Sequence, residues 1–403
     1  MPHPPLPQRQ LVGWLSLAQL ISWGSVFYAF AVLMTPLEQE LGLSRSQSSL
    51  AFSLALLTEG LMAYPVGRWI ERGHERAVMT GGSLLLGLSL ALHSQIHSLG
   101  TFYAIWVALG LGLSGTLYTP AFAVVTRRFP QNFRRAIITL TFLGGLASTV
   151  FTPATAWLIQ QFGWRQALLW LALLHLLLCA PIHAIVLRRA PGPGPARSNP
   201  APTPPLGPYL RSPAFIFISV FVVLMMGVTA ALPAHMVSLL RETGLSESWA
   251  IAIPASMGVI QVVGRLLLYF FEHHFDLDTA NRVIPILIPL GLLALILGAG
   301  YSQAALVFVL LYGLGNGMLT IVKGTAMAQY VSQHHMASLN GALGLPLALA
   351  RAGAPLLLGL LWSPNSGYAT GLWLLLLASS LAVLSLWLAQ RHALAPASID
   401  LLA

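Results

Sequence analysis

Three ionisable residues stand inside long apolar runs, and they are where this chain can do chemistry. Glu59 lies near the middle of the run 48–69, Lys323 in the run 304–327, and Arg351 near the middle of 339–362. Placing a charged side chain in hydrocarbon costs roughly 2.5–3.5 kcal/mol on insertion scales, so each is expected to face a water-filled cavity or an opposite charge. A carboxylate in such a cavity can take up and release a proton. A guanidinium can grip a carboxylate through two parallel hydrogen bonds, and an ammonium adds a second positive point charge. Asn316 and Thr320 precede Lys323 by seven and three residues, which puts all three on one helical face. Two readings stay open. In the structural one, Glu59 neutralises one of the bases and Lys323 extends its stem towards the membrane surface. In the functional one, Arg351 and Lys323 attract a carboxylate-bearing substrate and Glu59 is the proton-coupling site. Trp23, Phe27 and Tyr28 on the first run, and Asn316, are candidates to shape the cavity. His235, near the outer end of the seventh run, is a further substrate-site candidate.

The elements that must position these residues follow from composition. Of the 403 residues, 56% are hydrophobic and 8% charged, with a mean hydropathy of +0.76. A soluble domain carries about 25% charged residues. The chain lacks the surface for water, so the expected fold is an all-α membrane protein. Six apolar, helix-length runs precede the proline-rich stretch 188–213 and six follow it, giving twelve expected transmembrane helices. Proline density in that stretch excludes a spanning helix. The expected organisation is an N-terminal six-helix bundle (1–189), a linker (190–212) and a C-terminal six-helix bundle (213–403). The first apolar run is too long for a signal-peptide core and reads as a retained helix.

The halves echo each other. Residues 37–44, LEQELGLS, resemble 239–246, LLRETGLS; Gly67-Arg68 recurs as Gly264-Arg265, Gly110-Leu111-Gly112 as Gly313-Leu314-Gly315, and Gly163-Trp164 as Gly367-Tyr368. Four echoes in the same order point to a duplicated, pseudo-symmetric unit. Charge sets the orientation. With the N-terminus inside and twelve passages, 15 of the 20 Lys and Arg fall at inner ends or loops and only Arg45, Arg165 and Arg241 fall outside. The positive-inside rule then places both termini and the linker in the cytoplasm.

Other functions find little support. The net charge of +9 is scattered over helix ends, without the zinc ligands or aromatic platform of a nucleic-acid binder. Cys179 is the sole cysteine, so no intrachain disulfide forms. His175 and His183 are eight residues apart without a third ligand, and read as polar packing rather than a metal site. No hydrolase, metalloprotease or nucleotide-binding motif appears, and no cofactor is implied.

The segment Gly67–Arg76, GRWIERGHER, is a short charged turn between two apolar runs. It resembles the loop signature of the major facilitator superfamily, Gly-x-x-x-Asp-Arg-x-Gly-x-Arg, with Glu71 in place of Asp and Arg72, Gly73 and Arg76 matching. The triplet Gly163-Trp164-Arg165 is similar to the start of helix 6 in many members. The resemblance implies two six-helix bundles that rock about a central cavity, with Gly67, Glu71, Arg72, Gly73 and Arg76 acting as a conformational latch; a purely topological anchor is the alternative. Within the superfamily, Glu40–Ser46 and the spacing of Trp23-Gly24 and Phe27 look most like monocarboxylate carriers and oxalate/formate antiporters. Residues 144–153 lack the ordered helix-5 glycine–proline motif of drug/proton antiporters, and the start of the fourth run lacks the arginine of many sugar and drug carriers. The expected function is secondary transport of a small organic anion, coupled to protons, by a monomer in the cell membrane (the inner membrane in a Gram-negative bacterium). The alternatives are efflux of amphiphilic compounds, or a receptor that keeps the transporter fold.

Overall fold

The computed structural model describes residues 7–129, 131–188, 206–271, 277–299, 301–332 and 335–394. Linker residues 190–205 and Glu272, His273 and His274 lie outside the described residues. Helix accounts for nearly all the described chain, and an isolated bridge between Ser363 and Gly367 is its sole β pairing. The apolar helices are α1 (Gln8–Leu41), α2 (Arg45–Trp69), α3 (Glu75–His93), α4 (Leu99–Arg128), α5 (Arg135–Val186), α6 (Pro213–Glu242), α7 (Glu247–Phe271), α8 (Asp278–Leu297), α9 (Ser302–Tyr330), α10 (Gly344–Leu360) and α11 (Ala369–Arg391).

Nine continuous helical stretches among the described residues are long and apolar enough to cross a membrane. Two of them, Arg45–His93 with 49 residues and Arg135–Val186 with 52, are about twice the ~20 residues that one crossing needs. Each bends at a glycine with positive φ, Gly73 at 92° and Gly163 at 78°. An L side chain is strained in that conformation, so these two positions fix where each stretch bends. The internal echo appears in the same coordinate. Gly42 (φ 62°) ends α1 and Gly244 (φ 83°) ends α6, while Gly163 and Gly367 (φ 52°) mark the other echoed turn. Carboxylates are stapled at both ends: Trp164 donates its indole N–H to Glu40, and Trp362 donates to Glu242 at 2.9 Å.

Packing divides the chain into two compact units: Met1–Ser198 with Pro233–Arg241 and Ser246–Val259, and Asn199–Leu232 with Glu242–Leu245 and Ile260–Ala403. Part of α6 and of α7 therefore packs with the first unit. Within it, α2 and α4 touch where Gly110 meets Ala55: a Cβ at Gly110 would stand 2.3 Å from the Ala55 carbonyl oxygen. The second unit repeats this contact between α7 and α9, where a Cβ at Gly317 would stand 2.2 Å from the Gln261 carbonyl oxygen. The structural counterpart of Gly110 is thus Gly317, one helical turn beyond the Gly313 that sequence similarity selects. Gly313 packs instead on the side chain of Ile260.

Candidate functional site

In the first unit, a π-helical stretch, Trp23–Tyr28, interrupts α1. Such widened turns are frequent at functional sites. It carries all three aromatic candidates, but they part company. Phe27 is 6% exposed and packs on Phe52 at 5.3 Å between ring centroids, within a cluster that includes Phe30 and Trp106. It is a core residue. Trp23 and Tyr28 are half-buried; Trp23 lies against Tyr118 at 5.0 Å, and its buried indole N–H has no hydrogen-bond acceptor among the described residues. Gly24 lets Phe151 pack directly on this stretch, since a Cβ there would stand 2.2 Å from the phenylalanine ring. Glu59 is 7% exposed on α2. His235 is fully buried, with its Nε2 3.4 Å from Ser49 Oγ, so it joins α6 to α2 inside the first unit. His175 and His183 each hydrogen-bond a serine, Ser25 at 2.7 Å and Ser83 at 2.8 Å.

A cleft of about 750 Å³ opens beside these elements in the same unit, lined in part by Thr35, Gln39, Gln160, Arg241, Glu247 and Ser248. Arg241 pairs with Glu247 and donates to Thr35 Oγ1 at 3.1 Å. The equivalent turn after α1 carries the same staple with the signs reversed, Glu38 accepting from Arg45 Nε at 3.0 Å.

The charged turn differs from the sequence-based picture in which residue carries the contacts. Glu71 and Arg72 are exposed, and neither side chain makes a hydrogen bond among the described residues. Arg76 donates to the Ala184 carbonyl at 2.7 Å. The turn's buried charge is Glu75, fully enclosed and paired with Arg127 at 3.0 Å and Arg128 at 2.5 Å from the end of α4. Arg127 also donates to the Ile70 carbonyl at 2.5 Å, and Arg128 to the Leu187 carbonyl at 3.0 Å. One carboxylate thereby ties together the ends of α2, α3, α4 and α5.

The second unit holds the positive candidates. Lys323 is partly buried on α9 and within electrostatic reach of Arg351 on α10; its ammonium makes no ion pair or hydrogen bond among the described residues. Asn316, on the same face of α9, is half-buried, and its amide has no hydrogen-bond partner there. Between α9 and α7, Arg265 donates to the Gly317 carbonyl at 3.2 Å, next to this face.

Apolar helices of membrane length define a multi-pass membrane protein. The profile of the Major Facilitator Superfamily matches residues 15–355, and the chain belongs to that superfamily. It is 29% identical to monocarboxylate transporter 13 of Bos taurus over 310 residues, which covers 70% of this chain and 69% of that one. Against monocarboxylate transporter 12 of Rattus norvegicus it is 28% identical over 223 residues, 48% of this chain and 45% of the relative. Among solved structures, a bacterial homolog of the human lysosomal transporter Spinster, inward-facing and occupied, superposes with a TM-score of 0.74 at 17% identity over 96% of this chain and 98% of that one. The nucleoside transporter NupG superposes with a TM-score of 0.71 at 13% identity, covering 96% and 100%. At these identities the structural likeness establishes the fold.

Proposed function

We propose that this transporter moves a small organic anion, a monocarboxylate, by alternating access in exchange for the energy of a proton gradient. The observation that carries the reading is Lys323, a cation in an apolar helix beside Arg351 with no ion-pair partner of its own among the described residues. Two like charges in a low-dielectric setting repel, and a bound anion relieves that repulsion. The guanidinium supplies planar, two-point recognition of a carboxylate and the ammonium supplies charge. Asn316 offers an amide on the same face, and Trp23 and Tyr28 offer half-buried ring surface in the first unit. Similarity to monocarboxylate transporters supports the same substrate class. Glu59 serves as the proton-coupling carboxylate, and Glu71, Arg72 and Arg76 belong to the charged turn that moves with the exchange.

The test is uptake of a short monocarboxylate into proteoliposomes under an imposed pH gradient. Losing a charged hydrogen-bond partner costs about 1.5–3 kcal/mol, so Lys323→Gln and Arg351→Gln each lower substrate affinity by roughly 10- to 150-fold. Glu59→Gln abolishes acceleration by the pH gradient while substrate exchange at equal pH continues. Wild-type transport parameters in both cation variants would refute the anion site.

The same reading sets twelve passages. Counting the two bent stretches as two crossings each, and adding the 17-residue α10, brings the nine to twelve. With an even count, the charge bias places both termini in the cytoplasm. Single cysteines at Gln39, Gln160 and Ser302, in a Cys179→Ser background, are expected to react with an impermeant thiol reagent on intact cells. Those at His74, Ser198 and His334 stay unlabelled; the last two sites lie outside the described residues. Labelling of the second set alone inverts the topology.

A further inference from the structure

Near the start of α1 the first unit carries a notch of about 350 Å³, and nothing in the transport reading uses it. Gln8, Arg9 and Gly13 line one side, and Asn132, Arg135 and Thr139 line the other. Gln8 Nε2 donates to the Asn132 carbonyl at 3.4 Å and bridges the two walls.

Four sources of positive potential converge there. Arg9 and Arg135 are exposed, and neither guanidinium has an ion pair or hydrogen bond among the described residues. The other two are helix ends. The helices Gln8–Ser22 and Phe133–Gly145 both begin at the notch, both lack a side-chain N-cap, and neither has an acidic residue in its first turn. Each such end presents unsatisfied N–H groups and about half a positive charge. Four other arginines of the same unit do find carboxylates: Arg45 takes Glu38, Arg127 and Arg128 take Glu75, and Arg165 takes Glu40. The notch therefore concentrates uncompensated charge in a concave site. It is also open, since no atom of the described residues outside its own helix backbone stands within 4 Å of where a Cβ at Gly13 would lie. Trp14, 48% exposed, follows Gly13 on the first helix, and Ile138, 57% exposed, comes three residues after Arg135 on the second, so each helix carries an exposed apolar side chain within a turn of a lining residue.

We propose that this notch binds a phosphate group, with Arg9 and Arg135 as its cationic clamp and the two helix ends as N–H donors. Guanidinium forks and helix N-termini are the two standard protein partners of phosphate. Tryptophan beside a basic site is the composition of a membrane interface, so the source to which the geometry points is the headgroup of an anionic phospholipid. Free phosphate has the same chemistry and is the other source to test. The site is independent of the transported substrate.

The test uses the full-length protein in a neutral detergent, with phosphatidylglycerol, phosphatidylcholine and inorganic phosphate as separate probes. Native mass spectrometry counts retained lipid, and tryptophan fluorescence follows the melting temperature. Wild type is expected to retain phosphatidylglycerol in preference to phosphatidylcholine. The R9Q/R135Q variant binds it roughly 30-fold more weakly, as two interfacial basic residues are worth, while R9K/R135K keeps most of the binding. Gly13→Phe fills the notch without removing charge and loses the lipid as well. Displacement of the lipid by millimolar phosphate, with phosphate stabilising wild type but not R9Q/R135Q, assigns the site to free phosphate. Equal lipid retention by folded wild type and R9Q/R135Q, or no response of wild type to either anionic probe, overturns the proposal.

Discussion

Leucine at Gly110 or at Gly317 is expected to leave little folded protein, seen as loss of the monodisperse peak on size-exclusion chromatography in detergent. At both sites the obstacle is backbone. A Cβ at Gly110 meets the Ala55 carbonyl oxygen at 2.3 Å and the Ala55 Cα at 2.8 Å; at Gly317 it meets the Gln261 carbonyl oxygen at 2.2 Å and Cα at 2.7 Å. A flexible side chain can swing away, whereas a helix backbone must translate as a body and take its other contacts with it. Helix association within a bilayer rests on close packing, because lipid tails are as apolar as the helix surfaces themselves. Separating α2 from α4, or α7 from α9, removes that packing along the whole contact. Overpacking a core costs about 1–3 kcal/mol when side chains can adjust, and these two sites are expected to exceed that range. Gly81→Ala on α3 is the control: its Cβ would meet nothing within 4 Å, so only the gain in helix propensity remains, about 0.5–1 kcal/mol. If Gly110→Leu and Gly317→Leu melt with wild type, the helices do not approach as described.

The same two contacts show what can be read from a sequence and what cannot. The run Gly110–Gly115 announces a close helix contact, because small residues are what such contacts need. Its partner is set by which turn of α2 lies opposite, and no local signal names Ala55. In the second half, the eye takes Gly313-Leu314-Gly315 as the repeat of Gly110-Leu111-Gly112, yet the backbone contact falls at Gly317. Identical tripeptides compete with geometric equivalence wherever glycines recur every two residues. Turns fare better. Gly42, Gly163, Gly244 and Gly367 all adopt positive φ, and their requirement is local, so the echo in sequence matches the echo in conformation. The site residues divide along the same line. That Glu59, Lys323 and Arg351 lie in apolar helices follows from hydropathy alone. That Phe27 belongs to a buried cluster while Trp23 and Tyr28 are half-buried depends on the π-helical turn, which shifts the register of the aromatic face and which no residue type in 23–28 dictates.

Glu75 gives the second large effect. Its carboxylate is wholly buried between Arg127 and Arg128, whereas Glu71, which stands in place of the signature's Asp, is exposed. Within a charged turn, two glutamates four residues apart are alike in type, so residue type alone does not say which is the buried one. The positive φ of Gly73 falls between them and turns the chain, sending Glu71 outward and Glu75 inward. Glu75→Gln keeps the volume and removes the charge. Two partly buried guanidiniums then face a neutral amide, and breaking a buried pair in this way costs about 3–5 kcal/mol. The expected result is a large drop in thermal stability with faster proteolysis at the ends of α2 to α5. Glu71→Gln should stay within about 0.5 kcal/mol of wild type, as exposed sites generally do. Because the penalty comes from stranded cations, Arg128→Gln in the Glu75→Gln background should recover part of it, with a coupling of about 1–3 kcal/mol in a double-mutant cycle. Structural anchoring and conformational latching then separate by experiment. If Glu75 only anchors, a stabilising binder that restores the melting temperature of Glu75→Gln also restores transport. If it links the helix ends during exchange, transport stays impaired in the restabilised protein while Glu71→Gln transports normally. A larger loss of stability in Glu71→Gln than in Glu75→Gln would contradict the assignment of the buried charge.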